Sequence, residues 1–156
     1  MKIFAAALFC GGVFCAFAQA AEPVTTTLSY QQAQQLTAKA RQVIADHHLG
    51  GAIAVVDAAG QLITFDRLDG ATLANSELAP KKAHSAVAFG VSTLSFQQKI
   101  AAGNLALLGN PAVVPLPGGE PVKRHGVVIG AIGVSTPDGQ VDTEAAQRAL
   151  SVFDAD

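Results

Sequence analysis

The chain has 156 residues, half of them apolar, with 10 basic and 12 acidic side chains and a formal net charge of −2. That balance, with no tryptophan and no basic stripe, excludes nucleic acid as a partner, which needs a cationic face and stacking aromatics. The length allows one domain with a sizeable core and is too short for two ordinary ones.

Lys2 gives a positive start, Ile3 to Phe17 an apolar run, and Ala18-Gln19-Ala20 the small-x-small pattern that a signal peptidase cuts. Residues 1–20 are therefore expected to be a signal peptide and residues 21–156 the working domain, periplasmic or secreted. The run is shorter than the roughly 20 residues of a bilayer span and has no basic flank on its far side, so no membrane attachment is expected after cleavage. Both cysteines, Cys10 and Cys15, fall in this leader, neither in a good lipid-attachment context. The mature chain is then cysteine-free, which excludes disulfides, thiolate ligation of metal or haem, and cysteine nucleophiles.

Ser29 to His48 reads as a helix opened by a Ser29-x-x-Gln32 capping box, with Leu28 and Ala33 placed as a hydrophobic staple. Tyr30, Ala33, Leu36, Ala40, Val43 and Ile44 follow a 3.6-residue period and predict one buried face, and Gly50-Gly51 is the expected stop, where positive φ is needed. Ala52 to Asp57 and Gln61 to Leu68 form a hairpin across Ala58-Ala59-Gly60. A second helix is expected from Ser76 to Phe89, with Pro80 confined to its first turn and Gly90 at its end. A shorter helix follows over Thr93 to Ala102.

Residues 103–121 hold so many glycines and prolines that a shaped loop is expected. Val122 to Arg124 and Val127 to Ser135 read as a second hairpin across His125-Gly126. Gly130 and Gly133 mark the latter as a central strand with something packed against its backbone. Asp142 is taken as the N-cap of a last helix through Phe153, with Ala145, Ala146, Ala149, Leu150 and Phe153 as its buried stripe. This order favours an α+β domain, a mainly antiparallel sheet covered by helices.

Five segments together carry a family resemblance: Ala54-Val55-Val56-Asp57-Ala58-Ala59-Gly60, Arg67-Leu68-Asp69-Gly70-Ala71, Lys82-Ala83-His84-Ser85-Ala86, Pro117-Gly118-Gly119-Glu120-Pro121 and Gly130-Ala131-Ile132-Gly133-Val134-Ser135. Each alone is weak; in this order and spacing the chain, from about Ser29 to Phe153, resembles the GlcG/HbpS-like haem-binding or haem-degrading family. The resemblance implies a single profilin-like domain with a five-stranded, mainly antiparallel sheet flanked by helices, assembled as a homo-oligomer and binding haem. Some members are extracellular proteins linked to iron or redox sensing. Two departures touch the implied pocket: Ser85 stands where the family usually has threonine, and Pro80 alters the usual polar start of that helix.

Haem needs an axial ligand, an apolar slot and cations for its propionates. His47 and His48 are adjacent, point about 100° apart and suit helix capping instead. His84 lies inside the family's Lys-Ala-x segment, and His125 in the turn Lys123-Arg124-His125-Gly126; these two are the candidate iron ligands, against readings as a half-exposed helix histidine and a solvated turn. Arg67 and Asp69 form a structural pair or, by the resemblance, part of the pocket wall. Lys82 is expected to pair with Asp69 or a ligand carboxylate. Ser85 and Glu120 belong to the same implied pocket, and Gly118-Gly119 either presents amides to an anion or makes a tight turn.

No metal-ligand spacing, nucleophile elbow, phosphate loop or dinucleotide fingerprint is present. The leading expectation is an exported small-ligand-binding protein for haem or a related anionic ligand, in iron or redox sensing. One alternative is a small cofactor-independent enzyme, a tautomerase or hydrolase of a carboxylated metabolite, with Arg67 holding the carboxylate and Asp69, His84 or Glu120 moving a proton. Another is an accessory partner of an exported sensor or oxidoreductase, which would expose an apolar patch.

Overall fold

The computed structural model describes residues 27–153, so the expected leader with Cys10 and Cys15 lies outside the described residues. Helix α1 (Tyr30–Asp46) begins with the full capping box, the Ser29 side chain accepting from Gln32 N–H and the Gln32 side chain accepting from Ser29 N–H. Its buried face is Ala33, Leu36, Thr37, Ala40, Val43 and Ile44, whereas Tyr30, expected on that face, is 62% exposed. The chain turns out of α1 through positive φ at His48, not at a glycine. Gly50 and Gly51 serve close approach instead: a Cβ on Gly51 would meet Ser135 O at 2.6 Å.

Strands β1 (Ala52–Asp57) and β2 (Leu62–Arg67) pair as expected across a turn in which Asp57 Oδ1 accepts from the amides of Ala59 and Gln61. Helix α2 (Leu73–Phe89) starts three residues before Ser76, on a Thr72–Asn75 capping box, which places Pro80 in the helix interior and not in its first turn. Helix α3 (Thr93–Ala101) and a 3-10 turn (Leu105–Gly109) lead through the Gly/Pro-rich loop to β3 (Gly119–Arg124), which begins three residues earlier than expected and carries Pro121 on the outer edge of the sheet. Strand β4 (Val127–Ser135) is as expected. Helix α4 (Gly139–Leu150) is capped by Asp138, whose side chain accepts from Gln140 N–H; Asp142 is inside the helix and buried, and a separate 3-10 turn covers Ser151–Phe153.

The described residues contain four strands, where five were implied, in the all-antiparallel order β2-β1-β4-β3. Side chains alternate across the sheet. Ile53, Val55, Ile132 and Val134 point to α1 and α4, where Leu36, Ile44, Ala145, Ala146 and Ala149 complete the main core. Each large aliphatic sealed there contributes about 1.5–3 kcal/mol. Ala52, Ala54, Val56 and Ala131 point to α2, which meets them with Ala79, Ala83 and Ala86. Gly133 explains this closeness: a Cβ there would overlap the Ala79 carbonyl and lie 2.6 Å from Ala83 N, so the helix backbone rests on the strand backbone, as the glycine spacing of β4 predicts. Among the described residues no helix is long and apolar enough to cross a membrane.

Candidate functional site

The family segments Lys82–Ala86 and Pro117–Pro121 converge where α2, β4 and α4 meet. Lys82 Nζ donates to Asp142 Oδ2 at 2.7 Å and to Val134 O at 2.8 Å, with both side chains almost wholly buried. The other oxygen of Asp142 accepts from Thr136 N–H. Burial pushes the Lys82 ammonium down and the Asp142 carboxyl up, and their mutual attraction opposes both shifts. The expected pairing of Lys82 with Asp69 is not formed, since Lys82 points into the core and Asp69 is exposed at the end of β2.

The glycine loop closes over this pair. Gly118 adopts φ +99° and leaves no room for a side chain, with Asp142 Cβ 2.6 Å from where its own Cβ would stand. Gly119 N–H donates to Thr93 Oγ1 at 2.9 Å and Gly118 O accepts from Val134 N–H at 2.8 Å. The tight-turn role is therefore realised, and the Gly119 amide is directed to Thr93. Ser85 is fully buried and its hydroxyl accepts from Val114 N–H, tying the long loop to α2. Glu120 is 7% exposed and accepts from Ser92 Oγ at 2.7 Å and Gln147 Nε2 at 3.4 Å; burial raises its pKa, and those two bonds oppose the rise.

The remaining candidates are at the surface and apart. His84 is exposed on α2, its ring lying against Gly60 of the β1–β2 turn. Arg67 donates to Ala71 O at 3.3 Å, bracing the turn before α2. His125 occupies the exposed β3–β4 turn with φ +49°. Lys123, Arg124, His125 and Phe153 line a cavity of about 260 Å³ there, and the Arg124 guanidinium sits 5.9 Å from the centre of the Phe153 ring, within cation–π range. Of the three proton carriers offered by the enzyme reading, Asp69 and His84 are exposed and Glu120 is buried against Ser92 and Gln147.

Sequence reading missed Asp142, Thr93 and Phe153 as members of these clusters. Phe153 was legible only as an apolar residue of a helical stripe, and Thr93 as a helix start. Among the described residues no group of three or more His, Cys, Asp or Glu is placed to hold a bare metal ion. An exposed imidazole sharing a cavity with two cations and an aromatic ring fits a flat, anionic metal macrocycle better than it fits an aquated ion.

The layered sheet, the buried Lys82–Asp142 knot and the basic, histidine-bearing turn make up a small α+β domain. The chain belongs to the HbpS-like haem-degrading protein family, whose model matches residues 28–151. It is 33% identical over 132 residues to the corrinoid adenosyltransferase PduO of Citrobacter freundii, covering 81% of this chain and 39% of that protein. The chain thus spans about two fifths of the length of that relative and of its Salmonella typhimurium counterpart. Among solved structures it is similar to the PduOC:haem complex, with a TM-score of 0.73 and 32% identity over 80% of this chain and 94% of that one. It is also similar to HbpS, with a TM-score of 0.75 and 28% identity over 81% and 90% of the two chains.

Proposed function

We propose that this protein binds haem. The carrying observation is that it aligns with nearly the whole of a domain solved in complex with haem, at 32% identity. His125 is the proposed iron ligand, with Lys123 and Arg124 facing the propionates and Phe153 giving an apolar wall; the cavity of about 260 Å³ accepts an edge of the macrocycle and leaves the rest at the surface. His84 is the second candidate, exposed on α2 against the Gly60 turn. Arg67, Asp69, Ser85, Gly118, Gly119 and Glu120 support the shape of the ligand-bearing domain, and Lys82 acts through its pairing with Asp142. When bound, haem supplies a redox-active iron centre.

The export reading rests on Lys2, the apolar run and Ala18-Gln19-Ala20, and places the protein in the periplasm or outside the cell. With no cysteine after residue 20, a role in iron or redox sensing would run through the iron. The homo-oligomer reading is supported by Leu105 and Leu108, 62% and 61% exposed on the long loop, and the profilin-like reading by one sheet layered between helices. The test is an optical titration of residues 21–156 with hemin, in wild type, His125→Ala and His84→Ala. A saturable Soret band lost only in His125→Ala is expected; loss only in His84→Ala would move the ligand to α2, and featureless addition in all three would end the haem reading.

A further inference from the structure

A second groove follows the open edge of the sheet, independent of the haem reading. β2 is the terminal strand, and α1 packs beside it. Between them is a cavity of about 680 Å³, within the roughly 300–1,000 Å³ of clefts that take small ligands. Its helical wall carries Tyr30, Gln31, Gln34 and Gln35; its strand wall is residues 63–66.

What β2 offers this groove is largely main chain. Phe65 pairs with Ala54, whose side chain belongs to the α2-facing cluster, so the Phe65 ring shares that face and points away from α1. Leu68 N–H donates to Gly51 O at 2.9 Å. In the antiparallel alternation, Asp66 and Thr64 then also turn their main-chain groups towards β1, while those of Phe65 and Arg67 turn to the open edge. The nearby side chains are mutually satisfied: Arg41 pairs with Asp66, and Thr37 bonds Thr64 at 2.9 Å. The groove therefore combines a strand edge that is unpaired among the described residues with a wall of uncharged amides.

We propose that this groove takes a short extended segment of another protein, polar and uncharged, added to β2 as an extra strand. The segment pairs with the main chain of Phe65 and Arg67 and lays alternate side chains against Gln31, Gln34 and Gln35. Because Arg41 and Asp66 neutralise each other, an acidic or basic segment finds no counter-charge here, whereas hydroxyl and amide side chains meet matching groups.

The test uses residues 21–156, isotopically labelled, titrated with a pool of capped pentapeptides built from Ser, Thr, Gln and Val and followed by amide resonances. Saturable shifts at the Phe65 and Arg67 amides are expected, weakened about tenfold when alternate peptide nitrogens are methylated, since that removes strand hydrogen bonds and leaves the protein untouched. Gln34→Ala, an exposed substitution, should weaken binding several-fold with the melting temperature unchanged. Equal binding of the methylated pool, or no shift at either amide at millimolar peptide, overturns the proposal. So does a response of the same amides to protein concentration alone, which would show the edge closed by a second copy.

Discussion

Lys82 and Asp142, sixty positions apart, meet at 2.7 Å between α2 and α4, and the Gly118–Gly119 loop seals them from solvent. Removing either partner leaves a buried charge with no counter-ion, so Lys82→Met and Asp142→Leu are each expected to cost about 3–5 kcal/mol. The double variant Lys82→Met/Asp142→Leu should be less destabilised than either single one. Urea unfolding of all three checks this; additive losses would show that the two residues do not act as a pair.

Glu120 predicts a pH dependence. Its folded pKa is raised, first by burial, so between the ordinary glutamate value and the raised one the folded chain holds more protons than the unfolded chain. Stability contributed at this site is then present at lower pH and falls as pH rises through that window. In Glu120→Gln, which keeps an acceptor for Ser92, the difference between wild-type and variant stability curves should change with that sign; a flat difference across pH 4–7 would contradict the assignment.

Gly133→Ala drives a methyl group into the α2 backbone and should cost about 3 kcal/mol or more, above the usual range for overpacking because the obstacle is main chain. Gly109→Ala is the control, with no atom within 4 Å of the added carbon, and should stay within about 0.5 kcal/mol of wild type. Calorimetry of the two variants separates close approach from a general effect of losing glycine.

Pro80 occupies the interior of α2, where it cannot donate to the preceding turn. Pro80→Ala restores that donor and the best helix former, and is expected to stabilise the domain by about 1–3 kcal/mol. A lower melting temperature in the variant would mean that the ring makes packing contacts worth more than the hydrogen bond.

What was legible in the sequence was local. The Ser29–Gln32 box, the α1 stripe apart from exposed Tyr30, the first hairpin and the glycines of β4 each depend on neighbours a few residues away, and each is realised. The α2 start was misread because Thr72-x-x-Asn75 uses a short amide in place of the usual Glu or Gln, so the proline dominated the reading. Asp142 was misread because a buried aspartate in the first turn of a helix looks like a cap until its partner, sixty positions away, is placed beside it. The candidate site suffered most: His84 and His125 share a residue type, and only the fold reveals that one lies over a turn glycine and the other beside Phe153. The turn at His48 was missed because the Gly50-Gly51 pair drew the reading, although histidine is among the few non-glycine residues that tolerate positive φ.

The alanine-built contact between α2 and the sheet gives the domain two faces with opposite mutational sensitivities. On the α1 and α4 side, where Leu36, Ile44, Ile53 and Ile132 fill the space, trimming a side chain opens a void. On the α2 side, Ala54, Ala79, Ala83 and Ala131 leave little to trim and nowhere to grow. Sequence drift in this protein is therefore confined by different rules on its two sides: volume must be kept on one and smallness on the other, which leaves the outer surface of α2 as the part of that helix free to change.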